Sequence, residues 1–156
     1  MTYRLLLFVL LALVGCDSQT SLFDDAVIYI DGKRVAASAS LATKQLNATA
    51  YQVVSLEMTD GSRIEILARA FEEGRYVKQQ EGNTSFPFTF SYVERGERPR
   101  IYMAVSGSLE IGVARSAEVE GTFAFATYNG LSSCIGCASA QGPQVKGRFK
   151  AVRRVR

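Results

Sequence analysis

Phe86, Phe88, Phe90 and Tyr92 alternate with Pro87, Thr89, Ser91 and Val93, and a period of two places the four rings on one side of an extended chain. A chain with this stretch needs a sheet that is dry on that side. Pro87 cannot donate to a ladder, so it belongs at the start of the strand or on an edge. Ile64, Ile66, Ala68 and Ala70 repeat the pattern against Arg63, Glu65, Leu67 and Arg69. Ile101, Met103 and Val105 are read as continuing it, and residues 109–113 form a further strand punctuated by Gly107 and Gly112. Asp31-Gly32 between residues 27–30 and 34–37 predicts a tight hairpin, because both central residues of such a turn adopt positive φ. Asp60-Gly61 is expected to act in a similar way between residues 53–58 and 63–70. Residues 40–50 are compatible with a strand or a short helix, and no convincing amphipathic helix is found elsewhere in the body.

Val119-Glu120-Gly121-Thr122-Phe123 and Val145-Lys146-Gly147-Arg148-Phe149 resemble each other. Each puts Val, Gly and Phe on one face, as two neighbouring strands lining one core require, with the glycines allowing close backbone approach or a bulge. The expected fold class is therefore all-β: an antiparallel β-sandwich or flattened barrel, formed by residues 26–156 as a single domain.

The chain begins differently. Arg4 precedes an uncharged apolar run over residues 5–14, which ends at Gly15-Cys16. That is the order of a secretory signal peptide. A run of about ten residues rises only about 15 Å as a helix, roughly half of a hydrocarbon core. Leu13-Val14-Gly15-Cys16 resembles the lipobox of bacterial lipoproteins. The resemblance implies cleavage before Cys16, diacylglyceryl transfer to its thiol, and attachment to a membrane of the cell envelope with the body facing the periplasm or the exterior. Residues 1–15 are then the signal peptide and residues 16–25 the lipidated cysteine and a polar tether. Asp17 looks like the inner-membrane retention signal of some Gram-negative sorting systems. The Gly-x-Phe strands behind a lipobox are also loosely similar to uncharacterised families of small β-rich lipoproteins. That likeness spans about the last third of the chain and implies a fold type, not a chemistry.

Absences narrow the function. The chain has no histidine and no tryptophan, so it lacks the commonest general base, the commonest transition-metal ligand and the favoured stacking platform. Cys134 and Cys137 sit in a Gly/Ser-rich loop. They are expected to form a local disulfide in an oxidising compartment; free thiols, or redox or metal chemistry, are the alternatives. No helix follows to support a thioredoxin-like site, and no further thiol or imidazole completes a zinc site. Asp24-Asp25 and Glu72-Glu73 are adjacent, which on strands sends their carboxylates to opposite faces. The expectation is a non-enzyme without cofactor or metal, with a carboxylate-dependent hydrolase as a lesser alternative.

The last eleven residues hold Lys146, Arg148, Lys150, Arg153, Arg154 and Arg156, six of the chain's 18 basic residues, and none of its 15 acids. Lys146, Arg148 and Lys150 alternate with Val145, Gly147 and Phe149, so they project from one strand face. Such a row can meet a protein, a glycan or an anionic lipid surface, or it can be a solvated outer face paired with Glu118 and Glu120 that blunts an edge strand. Nucleic acid is disfavoured by the exported location. The function expected is a membrane-anchored binding or adaptor module, or else a structural or assembly lipoprotein that uses an edge strand.

Overall fold

The computed structural model describes residues 25–79, 86–130 and 141–153. Cys16, Cys134, Cys137, Arg154 and Arg156 lie outside them, and so do the lipidation and disulfide expectations. The described residues form nine strands: β1 (Ala26–Ile30), β2 (Lys33–Leu46), β3 (Thr49–Met58), β4 (Arg63–Ala68), β5 (Gly74–Lys78), β6 (Phe88–Glu94), β7 (Arg100–Arg115), β8 (Glu118–Asn129) and β9 (Gln141–Arg153). Eight of them pair in a ring, β1-β2-β3-β4-β6-β7-β8-β9 and back to β1, each antiparallel to its neighbours. β5 adds to the lower half of β7, which has already left β6. The sheet is thus a closed barrel rather than a two-layer sandwich, and closure satisfies main-chain groups that a sandwich leaves on its edges.

The turns follow their residues. Asp31 and Gly32 have φ of 49° and 80° and close the β1–β2 hairpin as two central residues with positive φ should. Residues 40–50 are strand, turn and strand: β2 runs to Leu46, Asn47 and Ala48 turn with φ of 47° and 63°, and β3 begins at Thr49. The Asp60-Gly61 connection differs from the expected two-residue turn. It is a four-residue loop in which Gly61 alone is left-handed, at φ 83°. The Met58 carbonyl accepts from Gly61 N–H (3.0 Å), the Ser62 carbonyl accepts from Met58 N–H (2.9 Å), and Asp60 Oδ1 accepts from Ser62 N–H (2.8 Å). β4 stops at Ala68, so Ala70 lies outside it and is exposed.

The inward faces of the eight strands fill the barrel with side chains. Phe88, Phe90 and Tyr92 are buried as their alternation predicts, and Phe86 packs against them partly buried. Their rings meet Phe125 and Phe123 from the opposite wall, with Phe90 4.7 Å from Phe125 and 5.7 Å from Phe123 between centroids. Phe71 and Tyr76 close the lower side on Phe88, at 5.6 and 4.7 Å.

One face assignment is reversed. Tyr102 and Ala104 point inward on β7, whereas Ile101 is 38% exposed and Met103 and Val105 are half-buried. Tyr102 wins the inward place because its ring stacks on Tyr92 at 5.5 Å while its hydroxyl donates to Glu94 Oε2 at the barrel rim (3.1 Å). A bulge between Ala104 and Ser106 then shifts the parity, so that Leu109 and Ile111 are the next buried residues. Gly107 and Gly112 lie within one continuous strand and do not end it.

The two repeats pair with each other in opposite directions. Gly121 faces Phe149, and Gly147 faces Phe123. A Cβ on Gly121 would come 2.5 Å from the Glu110 carbonyl oxygen and 3.1 Å from the Phe149 ring; one on Gly147 would come 2.6 Å from the Val27 carbonyl oxygen and 3.0 Å from the Phe123 ring. Each phenyl ring therefore covers the other strand's glycine, and the glycines let the sheet coil tightly there.

Tyr92 makes a pH-dependent contribution to stability. Burial first, and then the Glu94 carboxylate, push its phenol up to about 12 from 10.0, against the Ser62 hydroxyl, which hydrogen-bonds it. The folded chain holds this proton more tightly than the unfolded chain. The contribution is complete below pH 10 and is lost as pH rises through about 12. Denaturation midpoints measured across that window should fall more steeply for the native chain than for Tyr92→Phe; parallel curves would contradict this account.

Candidate functional site

The outer wall built by β2, β1, β9 and β8 carries the basic row of β9. Lys146, Arg148 and Lys150 do project together from β9, since Val145, Phe149 and Ala151 take the inward places. The row is not uniform. Lys150 Nζ lies 2.6 Å from Glu120 Oε1 and 3.2 Å from Glu118 Oε1. These bonds, Glu120's first, hold the ammonium more firmly protonated, and Lys150 in turn lowers the Glu120 carboxyl. Lys150 is thus neutralised by the solvated pairing foreseen from the repeat. Such exposed pairs add little to stability.

Arg153 leaves the row altogether. It sits at the barrel's lower end, where its N–H donates to the Ala117 carbonyl (2.8 Å) and Nη2 donates to Thr43 Oγ1 (3.2 Å). The chain also enters the barrel near this end, where Lys150 N–H donates to the Asp25 carbonyl (2.8 Å).

What remains is Lys146 and Arg148, and the fold adds a third cation. β1 lies between β2 and β9, with Tyr29 paired to Arg34 on one side and to Lys146 on the other. Val27 is paired to Arg148. Tyr29 and Val27 are outward and half-buried, while Arg34, Lys146 and Arg148 are exposed. Together they line an open trough of about 480 Å³ with Phe123, Ala124 and Gly147. Lys146 Nζ stands 5.6 Å from the centre of the Tyr29 ring, a cation–π distance.

Among the described residues no acid lines the trough. The adjoining depression toward the Asp31-Gly32 hairpin contains Asp31, whose Oδ1 already accepts from Gln144 N–H (2.8 Å). Asp25, Glu110 and Glu120 line a mixed-charge depression on the other side, which Arg148 shares. The trough is a cationic surface with an aromatic floor, suited to holding an anion by side chains.

Sequence reasoning placed Lys146 and Arg148 on the site but missed Arg34, Tyr29 and Val27. The β1–β2 hairpin was legible and already put Arg34 beside Tyr29. The β1–β9 pairing was not, because nothing local in the chain announces which strand closes a ring.

The carboxylates are mostly engaged elsewhere. Asp60 Oδ1 and Oδ2 bind Ser62, and Glu73 Oε1 accepts from Ala114 N–H (3.3 Å). Among the described residues no group of three acidic or thiol side chains is placed to hold a metal ion. Comparison with known proteins finds no match for this chain, whether against family models, curated proteins or solved structures.

Proposed function

We propose that this protein is a lipid-anchored, non-catalytic binding module of the bacterial envelope, exported, attached through Cys16, and meeting an anionic partner on the wall of β2, β1 and β9. The observation that carries the binding reading is the convergence of Arg34, Lys146 and Arg148 on Tyr29, with no acid between them among the described residues. The anchor reading is supported by Leu13-Val14-Gly15-Cys16 behind an apolar run. The trough runs along the side wall from Arg148, near Asp25, toward Arg34 and Lys146 by the Asp31-Gly32 hairpin, so most of it faces away from the end where the chain enters.

Two variants test the two halves. Cys16→Ser should release the protein from the membrane fraction and abolish lipid labelling; unchanged fractionation and labelling would overturn the anchor. Changing Arg34, Lys146 and Arg148 together to Gln should remove the partners recovered by in-cell crosslinking and co-purification. Recovery from the native chain should also weaken as salt is raised, because exposed charges are screened beyond roughly 10 Å at 0.1 M. The same partners recovered from both chains would move the contact off this wall.

A further inference from the structure

Resting on the reading of this wall as a contact surface, we infer that the trough around Tyr29 binds an acidic saccharide, with a sugar ring on the tyrosine and its carboxylates on Arg34, Lys146 and Arg148. The spacing of the cations sets the first requirement. Arg34 and Lys146 flank Tyr29 on neighbouring strands, about 4.8 Å away on each side, and Arg148 follows Lys146 two residues along β9, a step of about 6.8 Å. A chain carrying a carboxylate on successive units can meet all three cations at once, and each contact after the first then forms as an intramolecular event. Multivalency is needed, because one exposed ion pair contributes little.

The floor sets the second requirement. Tyr29 and Val27 form an apolar strip between the cations, and Ala36 and Ala124 are exposed small residues on the flanking strands. An aromatic face beside small neighbours admits a pyranose whose C–H bonds rest on the π-cloud, with the Lys146 ammonium moving from that ring to a carboxylate, while the two guanidinium groups present forks that match carboxylates.

Two other anionic classes fit less well. A peptide that binds by adding a strand needs a main-chain edge, and here β1 is paired with both β2 and β9, and β9 with both β1 and β8. A membrane surface would be met at the end where the chain enters, near Asp25 and Arg153. Of the three cations only Arg148 lies near that end, while Arg34 and Lys146 sit toward the opposite one, by the Asp31-Gly32 hairpin.

The test is calorimetric titration of the full chain in non-ionic detergent with a short galacturonate oligomer. Its methyl ester, poly-glutamate of similar length and phosphatidylglycerol vesicles serve as alternatives. Galacturonate should bind and its neutral ester should not. Tyr29→Val should weaken the complex about tenfold, the scale of one aromatic contact, and Arg148→Gln or Lys146→Gln about fivefold each. Poly-glutamate binding as tightly as galacturonate, with Tyr29→Val silent, would overturn the saccharide in favour of an acidic protein. Binding to vesicles alone would overturn it in favour of lipid. Failure of all four probes, with partner capture in cells still lost in the Gln variant, would overturn the saccharide while leaving the contact surface intact.

Discussion

Gly107→Ala is expected to destabilise the barrel by several kcal/mol, enough to lower its urea midpoint markedly. Gly107 has φ of 136°, a conformation open to glycine and costing other residues about 1–3 kcal/mol. A Cβ there would also overlap the Ala124 carbonyl oxygen and come 2.8 Å from Phe125 Cα, so the obstruction is backbone and no rotamer change removes it. The position is where β7 leaves β6 and takes up β5 while holding β8 throughout. A shift at this point opens the ring on both sides. Domains of this size are stable by only about 5–15 kcal/mol, so the loss is a large fraction of the whole. A Cβ on Gly112 of the same strand would meet nothing within 4 Å, and the φ there is not positive. Gly112→Ala should therefore change stability by less than about 0.5 kcal/mol. Urea denaturation of the two variants measures the contrast; equal midpoints would mean that β7 does not need its bend at Gly107.

Phe125→Ala is expected to cost about 3–5 kcal/mol, the range for deleting a buried ring and leaving a cavity. Phe125 is 2% exposed, and its ring lies 4.7 Å from Phe90, 6.0 Å from Phe86 and 6.4 Å from Phe123. With the Phe90–Phe123 contact it joins the β6 aromatics to the β8–β9 aromatics, so its removal leaves that one ring contact between the two halves of the core. Phe125→Leu keeps most of the apolar volume and should cost clearly less. Denaturation midpoints together with the near-ultraviolet circular dichroism of the ring cluster check this, and a loss below about 1 kcal/mol for Phe125→Ala would show that the cluster is not the core.

Much of this fold was legible because its signals are local. The period-two aromatics of β6, the Asp31-Gly32 turn and the paired Gly-x-Phe repeats each express a rule that acts within a few residues. What escaped depends on distant partners. Tyr102 was passed over for Ile101 and Met103 because hydropathy ranks tyrosine as half polar, while the barrel rim buries its ring and wets its hydroxyl. The bulge after Ala104 then reversed the parity of β7 with no residue pattern to mark it. The site was half legible for the same reason. β9 showed its cations in the sequence, but Lys150 was removed by Glu118 and Glu120 across the β8–β9 pair, and Arg34 was supplied through β1, whose position beside β9 exists only once the ring has closed. Arg153 shows the limit of composition: near in sequence to the basic row, it faces Thr43 at the end of the barrel.

The central claim is that contact is made on the wall around Tyr29, and site-specific photocrosslinking in living cells tests it most directly. A photoreactive residue at Ala124, exposed beside the trough, is compared with one at Thr89, exposed on β6 across the barrel. The account predicts a discrete adduct from position 124 that disappears when Arg34, Lys146 and Arg148 are changed to Gln, and none from position 89. An adduct from position 89 with none from 124, or one at 124 indifferent to the three cations, would contradict it.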